Sequence, residues 1–286
     1  MKLASYNIQY GFGLDGRYDL ERIFRNLAGA DIIALQEVTR GSPANDGVDM
    51  VAAIEDLLPD YFSAYGPAFD LHAGTVVKNG RTISRRHQFG NMVLSRWPIL
   101  STRTLLLPRT RTVGKLNLQR GATEAVIETP AGALRVYSVH LDHVSPDERI
   151  AQIAYIRGRV HGFVAEGGTL TGGAEIDLVD PPLPEDYVMM GDFNMVPESP
   201  EYIACVGHKD GFYGRTARFD TPIDALDAVG WHASDRYSWV EAGNPQRRMH
   251  LDYCFINSGL VSRLKSAHVD VGADGSDHFP VWIEIE

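Results

Sequence analysis

The sequence predicts an α/β sandwich, and three observations carry that prediction. Strand-like segments outnumber helical ones, helical patterns fall between only some of the strands, and the β-α-β alternation is therefore incomplete. A doubly wound parallel sheet would need that alternation throughout. The strand-like segments are Lys2–Tyr6, Ile32–Gln36, Asn91–Ser95, Ala122–Glu128, Leu134–His140, Tyr187–Gly191, Leu251–Ile256 and Phe279–Ile285. Two stretches, 92–106 and 122–140, read as antiparallel neighbours.

Three segments have helical periodicity. Asp19–Ala28 places Leu20, Ile23, Phe24 and Leu27 on one face, and Asp49–Leu58 does so with Met50, Val51, Ile54, Leu57 and Leu58. Asp147–Glu166 repeats the pattern with Ile150, Ile153, Ile156 and Val160, after Ser145 as N-cap and Pro146 at the first helical position. Gly167–Asp186, rich in Gly, Pro and acid, reads as a long surface loop. It need not divide the chain, because the strand after it carries chemistry that needs the first half; one domain over 1–286 is expected.

Composition is that of an ordinary globular chain, with 44% hydrophobic and 22% charged residues. No apolar run reaches the roughly 20 residues of a membrane span. The start, MKLASYNIQYGFG, lacks the apolar core of a signal peptide, which points to the cytoplasm. Cys205 and Cys254 fit no metal knuckle and read as buried thiols. The formal charge of −10 speaks against a long nucleic acid as partner. A locally basic stretch from Arg81 through Arg85, Arg86, Arg103, Arg109, Arg111 and Lys115 to Arg120 reads first as solvated hairpins.

The strands end in polar residues that packing does not require. Asn7 and Gln9 follow the first, and Gln36 and Glu37 end the second. His140, Asp142 and His143 follow LRVYSV, and Asp192 and Asn194 follow YVMMG. Asp252 sits inside HLDYCFI, and Asp277 and His278 precede the last strand. One acid at a strand end is usually a turn former. Six such ends rich in acids, amides and histidines are better explained by convergence on one site. Carboxylates and amides suit Mg²⁺ or Mn²⁺, and histidines with acid partners suit proton transfer. Together they fit metal-assisted cleavage of a phosphate ester. The zinc-protease HExxH, the serine-hydrolase GxSxG and the P-loop are all absent.

The ordered motifs YNIQ, LQEV, GNMVLSRWPI, YSVHLDH, GDFN, HLDYCF and SDHFPV resemble the endonuclease/exonuclease/phosphatase superfamily with its DNase I-like fold, over residues 5–281. The resemblance implies a four-layer sandwich of two packed, mainly antiparallel sheets with helices outside. It implies Glu37 as principal metal ligand, Asn7 beside metal and phosphate, and Asp277 at the metal edge. Asp192 would position or deprotonate water, Asn194 would hold phosphate or water, and His140 would contact phosphoryl oxygens. Asp252 would orient His278, and either Asp192 or His278 would be the base. The implied cofactor is Mg²⁺ or Mn²⁺, with Ca²⁺ as a further option.

Some nucleases of the family have Asp where this chain has Gln9, which weakens any claim to a second metal. Asn91 is read as a structural turn at least as readily as a site residue. Arg149 and Gln152 are expected to anchor the loop beneath His140, and Trp231 and Trp239 are read as core packing ahead of stacking on a ligand. HLDH and GDFNMVPES look most like small bacterial members. The expected substrate is a phosphodiester or monoester of a small molecule or lipid headgroup. The alternatives are a nuclease acting on DNA or RNA and, in another class, a non-catalytic binding protein on the same scaffold. His278, at a strand end, is expected to matter for rate and little for stability.

Overall fold

A computed structural model describes residues 1–231 and 236–286. In its first half lie β1 (Lys2–Asn7), α1 (Leu20–Arg25), β2 (Ile32–Arg40), α2 (Met50–Leu57), β3 (Phe62–Lys78), β4 (Arg81–Ser95), β5 (Ile99–Leu106), β6 (Gly121–Thr129) and β7 (Gly132–His140). The second half holds α3 (Pro146–Glu166), β8 (Tyr187–Asp192), α4 (Pro200–Val206), β9 (Lys209–Asp210), β10 (Gly214–Arg215), β11 (Ile223–Asp224) and α5 (Ala225–Ala228). There follow β12 (Trp239–Glu241), β13 (Asn244–Met249), β14 (Asp252–Ile256), β15 (Leu264–Val269) and β16 (Val281–Ile285).

Twelve strands form two six-stranded sheets, ordered β15-β16-β1-β2-β4-β3 and β11-β14-β8-β7-β6-β5. Each is antiparallel except for one central parallel pair, β1 with β2 and β7 with β8. These are the pairs whose strands are joined through α1 and α3, because a parallel connection needs a crossover. The remaining strands form the small ribbons β9/β10 and β12/β13.

Three apolar layers make this a four-layer α/β sandwich. Between the sheets, Leu3, Ile32, Val93, Val136, Val188 and Cys254 pack together. Outside the first sheet, Tyr6, Ile33, Leu35 and Met92 pack on Ile23 and Ile54 of the helices. Outside the second, Tyr137, Met189 and Phe255 pack on Ile153, Ile156 and Tyr202. Strands buried on both faces explain unbroken apolar runs such as IIAL and YVMM. The helices begin where the sequence says they should. Asp19, Asp49 and Ser145 each accept an N-terminal backbone N–H, a cap contributing about 1 kcal/mol.

The structure corrects several expectations. The 122–140 hairpin forms, as β6 and β7. The 92–106 pair does not: β4 lies in one sheet and β5 in the other, so the chain crosses the sandwich at Arg96–Pro98. Local sequence gives adjacency but not the sheet to which a strand returns. Asn91–Ser95 is only the buried end of a 15-residue strand, whose exposed half pairs with β3 as a polar ribbon. The 167–186 stretch is irregular apart from a turn at Gly173–Ile176. Both cysteines are buried and free. Among the described residues, no helix is long and apolar enough to cross a membrane.

Candidate active site

Strand parity determines what reaches the space between the sheets, since alternate side chains share a face. The inward series are Leu3, Ser5, Asn7 in β1; Ile32, Ala34, Gln36 in β2; Val136, Ser138, His140 in β7; and Val188, Met190, Asp192 in β8. The interlayer is thus apolar at one end of the sandwich and polar at the other. In the polar zone Gln36 Nε2 donates to Ser138 Oγ at 2.9 Å, and Ser138 Oγ donates to the Leu35 carbonyl. Asn91 Nδ2 donates to the carbonyls of Gly121 and Ser138, so Asn91 ties the sheets together.

The cleft at the polar end has a volume of about 340 Å³ and is lined by Glu37, His140, Asp192, Asn194, Asp277 and His278 among others. Glu37 lies where the pairing of β2 with β4 slips between Leu35 and Val38, and its φ is 61°. The bulge and the left-handed backbone turn its side chain out of the ladder. It accepts a hydrogen bond from Asn7 Nδ2 at 3.4 Å. Burial raises its pKa to about 7, against the lowering effect of the nearby cations His278 and Arg120.

Asp192 ends β8, and Gly191 before it is required. A Cβ there would lie 1.8 Å from the Val139 carbonyl oxygen of the neighbouring strand. Asp192 Oδ2 accepts from Asn7 Nδ2 at 3.0 Å and Asn194 Nδ2 at 3.3 Å, and Oδ1 accepts from the Asn194 N–H at 2.9 Å. Burial alone would raise its pKa. Cationic His278 and the hydrogen bonds outweigh burial and hold it well below the usual carboxylate range.

Asp252 faces Asp192 across the β8–β14 pair. Its Oδ2 accepts from His278 Nδ1 at 2.8 Å and from Ser238 Oγ at 2.7 Å. Burial opposes a charge on His278, but Asp252 and Asp192 overcome it and push the imidazole up to about 10. Its Nε2 stands 3.8 Å from Asp192 Oδ2. His140 behaves oppositely: burial, reinforced by Arg120, lowers it to about 4. His140 Nε2 lies 2.8 Å from Arg120 Nη1 and 3.3 Å from Asp192 Oδ2. One ring nitrogen cannot both accept and donate, and the shorter contact makes it the acceptor from Arg120.

The residues expected at the site come together, with differences in detail. Asn7 spends its oxygen on the Gln9 N–H, so it presents its amide hydrogens to Glu37 and Asp192 rather than an oxygen to a metal. Asp277 lines the cleft, and its Oδ2 accepts from Trp239 Nε1 at 3.1 Å. Asp142 caps the loop, accepting from the N–H groups of Val144 and Ser145, while His143 lines the cleft. Gln152 and Arg149 hold the backbone of Asp142 beneath His140. Neither tryptophan is a core residue: Trp231 is exposed and Trp239 forms part of the cleft wall.

Sequence reasoning missed Arg120, which it grouped with solvated cations. Arg81, Arg85 and Arg86 are solvated, but Arg103 pairs with Glu124 and Glu166, and Arg120 is 3% exposed. Its Nη1 and Nη2 donate to His140 Nε2 and His143 Nδ1. A signal existed, because the 122–140 hairpin pairs Gly121 with His140 and so brings residue 120 to the cleft. Ser238 gave no such signal.

The fold and the cleft define a phosphoesterase scaffold, and sequence comparison agrees. Residues 4–278 match the endonuclease/exonuclease/phosphatase family. The chain belongs to that family, whose members are phosphoric ester hydrolases. No curated protein matches it. Among solved structures, an endonuclease/exonuclease/phosphatase from Beutenbergia cavernae is 18% identical with a TM-score of 0.62, covering 99% of this chain and 70% of its own. The mannosyl-6-phosphatase Bt3783 of Bacteroides thetaiotaomicron is 16% identical with a TM-score of 0.63, covering 100% and 99%. TDP2 of D. rerio, complexed with a single-strand DNA product, is 18% identical with a TM-score of 0.60, covering 99% and 97%. At these identities the likeness is one of fold.

Proposed function

We propose that the protein is a divalent-metal-dependent hydrolase of a phosphodiester or monoester of a small molecule or lipid headgroup. One observation carries the reading. Among the described residues, the cleft holds a half-buried carboxylate with no cation in ion-pair contact, Glu37, and a buried guanidinium with no carboxylate in ion-pair contact, Arg120. Buried charges need partners. A metal cation for the first and a phosphate for the second satisfy both.

Glu37 and Asp277 would hold Mg²⁺ or Mn²⁺, hard cations that take few carboxylates and leave room for substrate oxygens. Asp192, Asp252 and His278 also bring ligand atoms within 4.8 Å of one another. That trio is less suited, because His278 Nδ1 donates to Asp252 and the ring is cationic. When bound, the metal supplies charge stabilisation at the phosphoryl and leaving oxygens.

The chain's own groups do the rest. His278 already carries its proton, so it serves as a hydrogen-bond donor to a phosphoryl oxygen, with Asp252 fixing its ring. Asp192, ionised but a weak base, then orients the attacking water by accepting a hydrogen bond from it and takes the proton only as the new P–O bond forms, and Asn7 and Asn194 hold its carboxylate. Arg120 donates to two imidazole nitrogens, and a phosphate offers it a stronger, charged acceptor. A nuclease is the second reading, favoured by exposed Lys78, Arg81 and Arg85 on the β3–β4 ribbon and opposed by the net charge of −10.

The test crosses EDTA-stripped protein with Mg²⁺, Mn²⁺ and Ca²⁺ and with bis-p-nitrophenyl phosphate, p-nitrophenyl phosphate, plasmid DNA, an abasic oligonucleotide and a choline phospholipid. Metal-dependent cleavage of a small ester is the expected result. Strong nicking of DNA with no small-ester cleavage supports the nuclease. No turnover of any substrate with any metal leaves a binding protein.

A further inference from the structure

The catalytic floor of the cleft is polar, but its flanks are not. Leu116 and Leu118, in the segment before β6, line one side, while Trp239, Met249 and Leu251, beside β14, line the other. Sheet order separates them, since β8 and β7 lie between β14 and β6. Leu116 is 66% exposed, although it borders the cleft. Trp239 and Met249 are direct cross-strand partners in the β12–β13 ribbon, so their side chains share a face. The Trp239 backbone bridges to His278, and its indole N–H is fixed on Asp277. The indole is therefore pinned beside the catalytic groups, with its hydrogen-bonding atom already satisfied. What it offers the cleft is ring surface. The lining beyond the phosphate-facing groups has two polar side chains, Gln9 and Tyr10.

We infer that this cleft selects phosphoric esters carrying an apolar group next to the phosphate, an aryl ring or an alkyl chain, held between Leu116 and Leu118 on one flank and Trp239 and Met249 on the other. The inference rests on the phosphoesterase reading and narrows its substrate class. A polyhydroxylated group would bury its hydroxyls against carbon with few partners, which is unfavourable. An apolar group gains from covering the exposed leucine and the ring face. The volume of about 340 Å³ admits a phosphate and a ring-sized substituent.

The test is direct binding of a series with one common anchor. Inorganic phosphate, methylphosphonate, phenylphosphonate, hexylphosphonate and glucose 6-phosphate are titrated calorimetrically into the full chain with Mg²⁺ present. Phenyl- or hexylphosphonate is expected to bind at least about tenfold tighter than methylphosphonate. The tighter of the two distinguishes aryl from alkyl esters. In Leu116→Ser/Met249→Ser the ratio to methylphosphonate should fall to about twofold or less. Both positions are at the rim, and circular dichroism verifies the fold. Equal affinities across the phosphonates, or tighter binding of glucose 6-phosphate, overturn the inference and leave the phosphoesterase reading intact. If neither phosphate nor any phosphonate binds, the phosphoesterase reading falls and takes the inference with it.

Discussion

At the end of the β1–β2 pair, Glu37 receives one amide hydrogen bond at 3.4 Å, and burial raises its pKa to about 7. At the end of the β7–β8 pair, Asp192 accepts from Asn7 and from both nitrogens of Asn194, has His278 beside it, and is held far below its ordinary value. The two acids stand at the C-terminal ends of the central parallel pairs, Asp192 as the last paired residue of its ladder and Glu37 one residue past Gln36, in the bulge. The chain has compensated one charge and left the other bare. Environments that separate two like groups in this way assign them different tasks. The bare carboxylate suits an added cation, and the compensated one, which stays ionised, suits orienting a water beside a substrate.

The hardest blow to this division is Asp192→Asn. It removes one of the two anions that hold the charge on His278 and the group that positions water, and kcat on the best substrate of the metal-by-ester matrix should fall about 10³-fold. A loss under tenfold would reassign the base.

His278→Ala should cost about 10²-fold in kcat, and the structure revises the expectation that stability would hardly change. His278 is 7% exposed and neutralises buried Asp252. Leaving that carboxylate alone costs about 3–5 kcal/mol, read by chemical denaturation. His278→Ala/Asp252→Asn should recover much of the stability and none of the rate. Full stability of the single variant would mean that Asp252 finds another partner.

Glu37→Gln tests the other side. Metal affinity should fall about tenfold or more, measured by calorimetry, while the metal-free protein is not destabilised near neutral pH. Because the folded pKa lies above the ordinary 4.5, the folded state binds more protons than the unfolded between 4.5 and about 7. The wild type without metal should therefore lose stability as pH rises through that window, and the variant should lack that slope. An identical slope in both would place the titrating group elsewhere.

Arg120→Gln is the mildest. It should raise KM about tenfold with a smaller change in kcat, as expected for a phosphate clamp outside the bond-breaking groups. An unchanged KM would confine Arg120 to holding His140 and His143.

Much of this site was legible because its acids, amides and histidines stand at strand ends, and strand parity explains why they meet. Ser5 and Asn7, Ala34 and Gln36, Ser138 and His140, and Met190 and Asp192 recur at the period of two that sends side chains to one face. The cap at Ser145 is local as well, and so was visible; the structure adds Asp19 and Asp49 as caps of the same kind. Three things were not legible. The assignment of β4 and β5 to different sheets depends on long-range pairing, which adjacency in sequence does not encode. The burial of Arg120 and the pinning of Trp239 depend on what lies across the cleft, namely His140, His143 and Asp277. The opposite charge environments of Glu37 and Asp192 arise from distance and desolvation, which exist only once the sheets have packed. Sequence alone determined which side chains face the interlayer and that they would meet. Tertiary structure decided which of them pair with one another, which stay uncompensated, and that carbon rather than polar groups flanks them, because electrostatics and packing act through space and not along the chain.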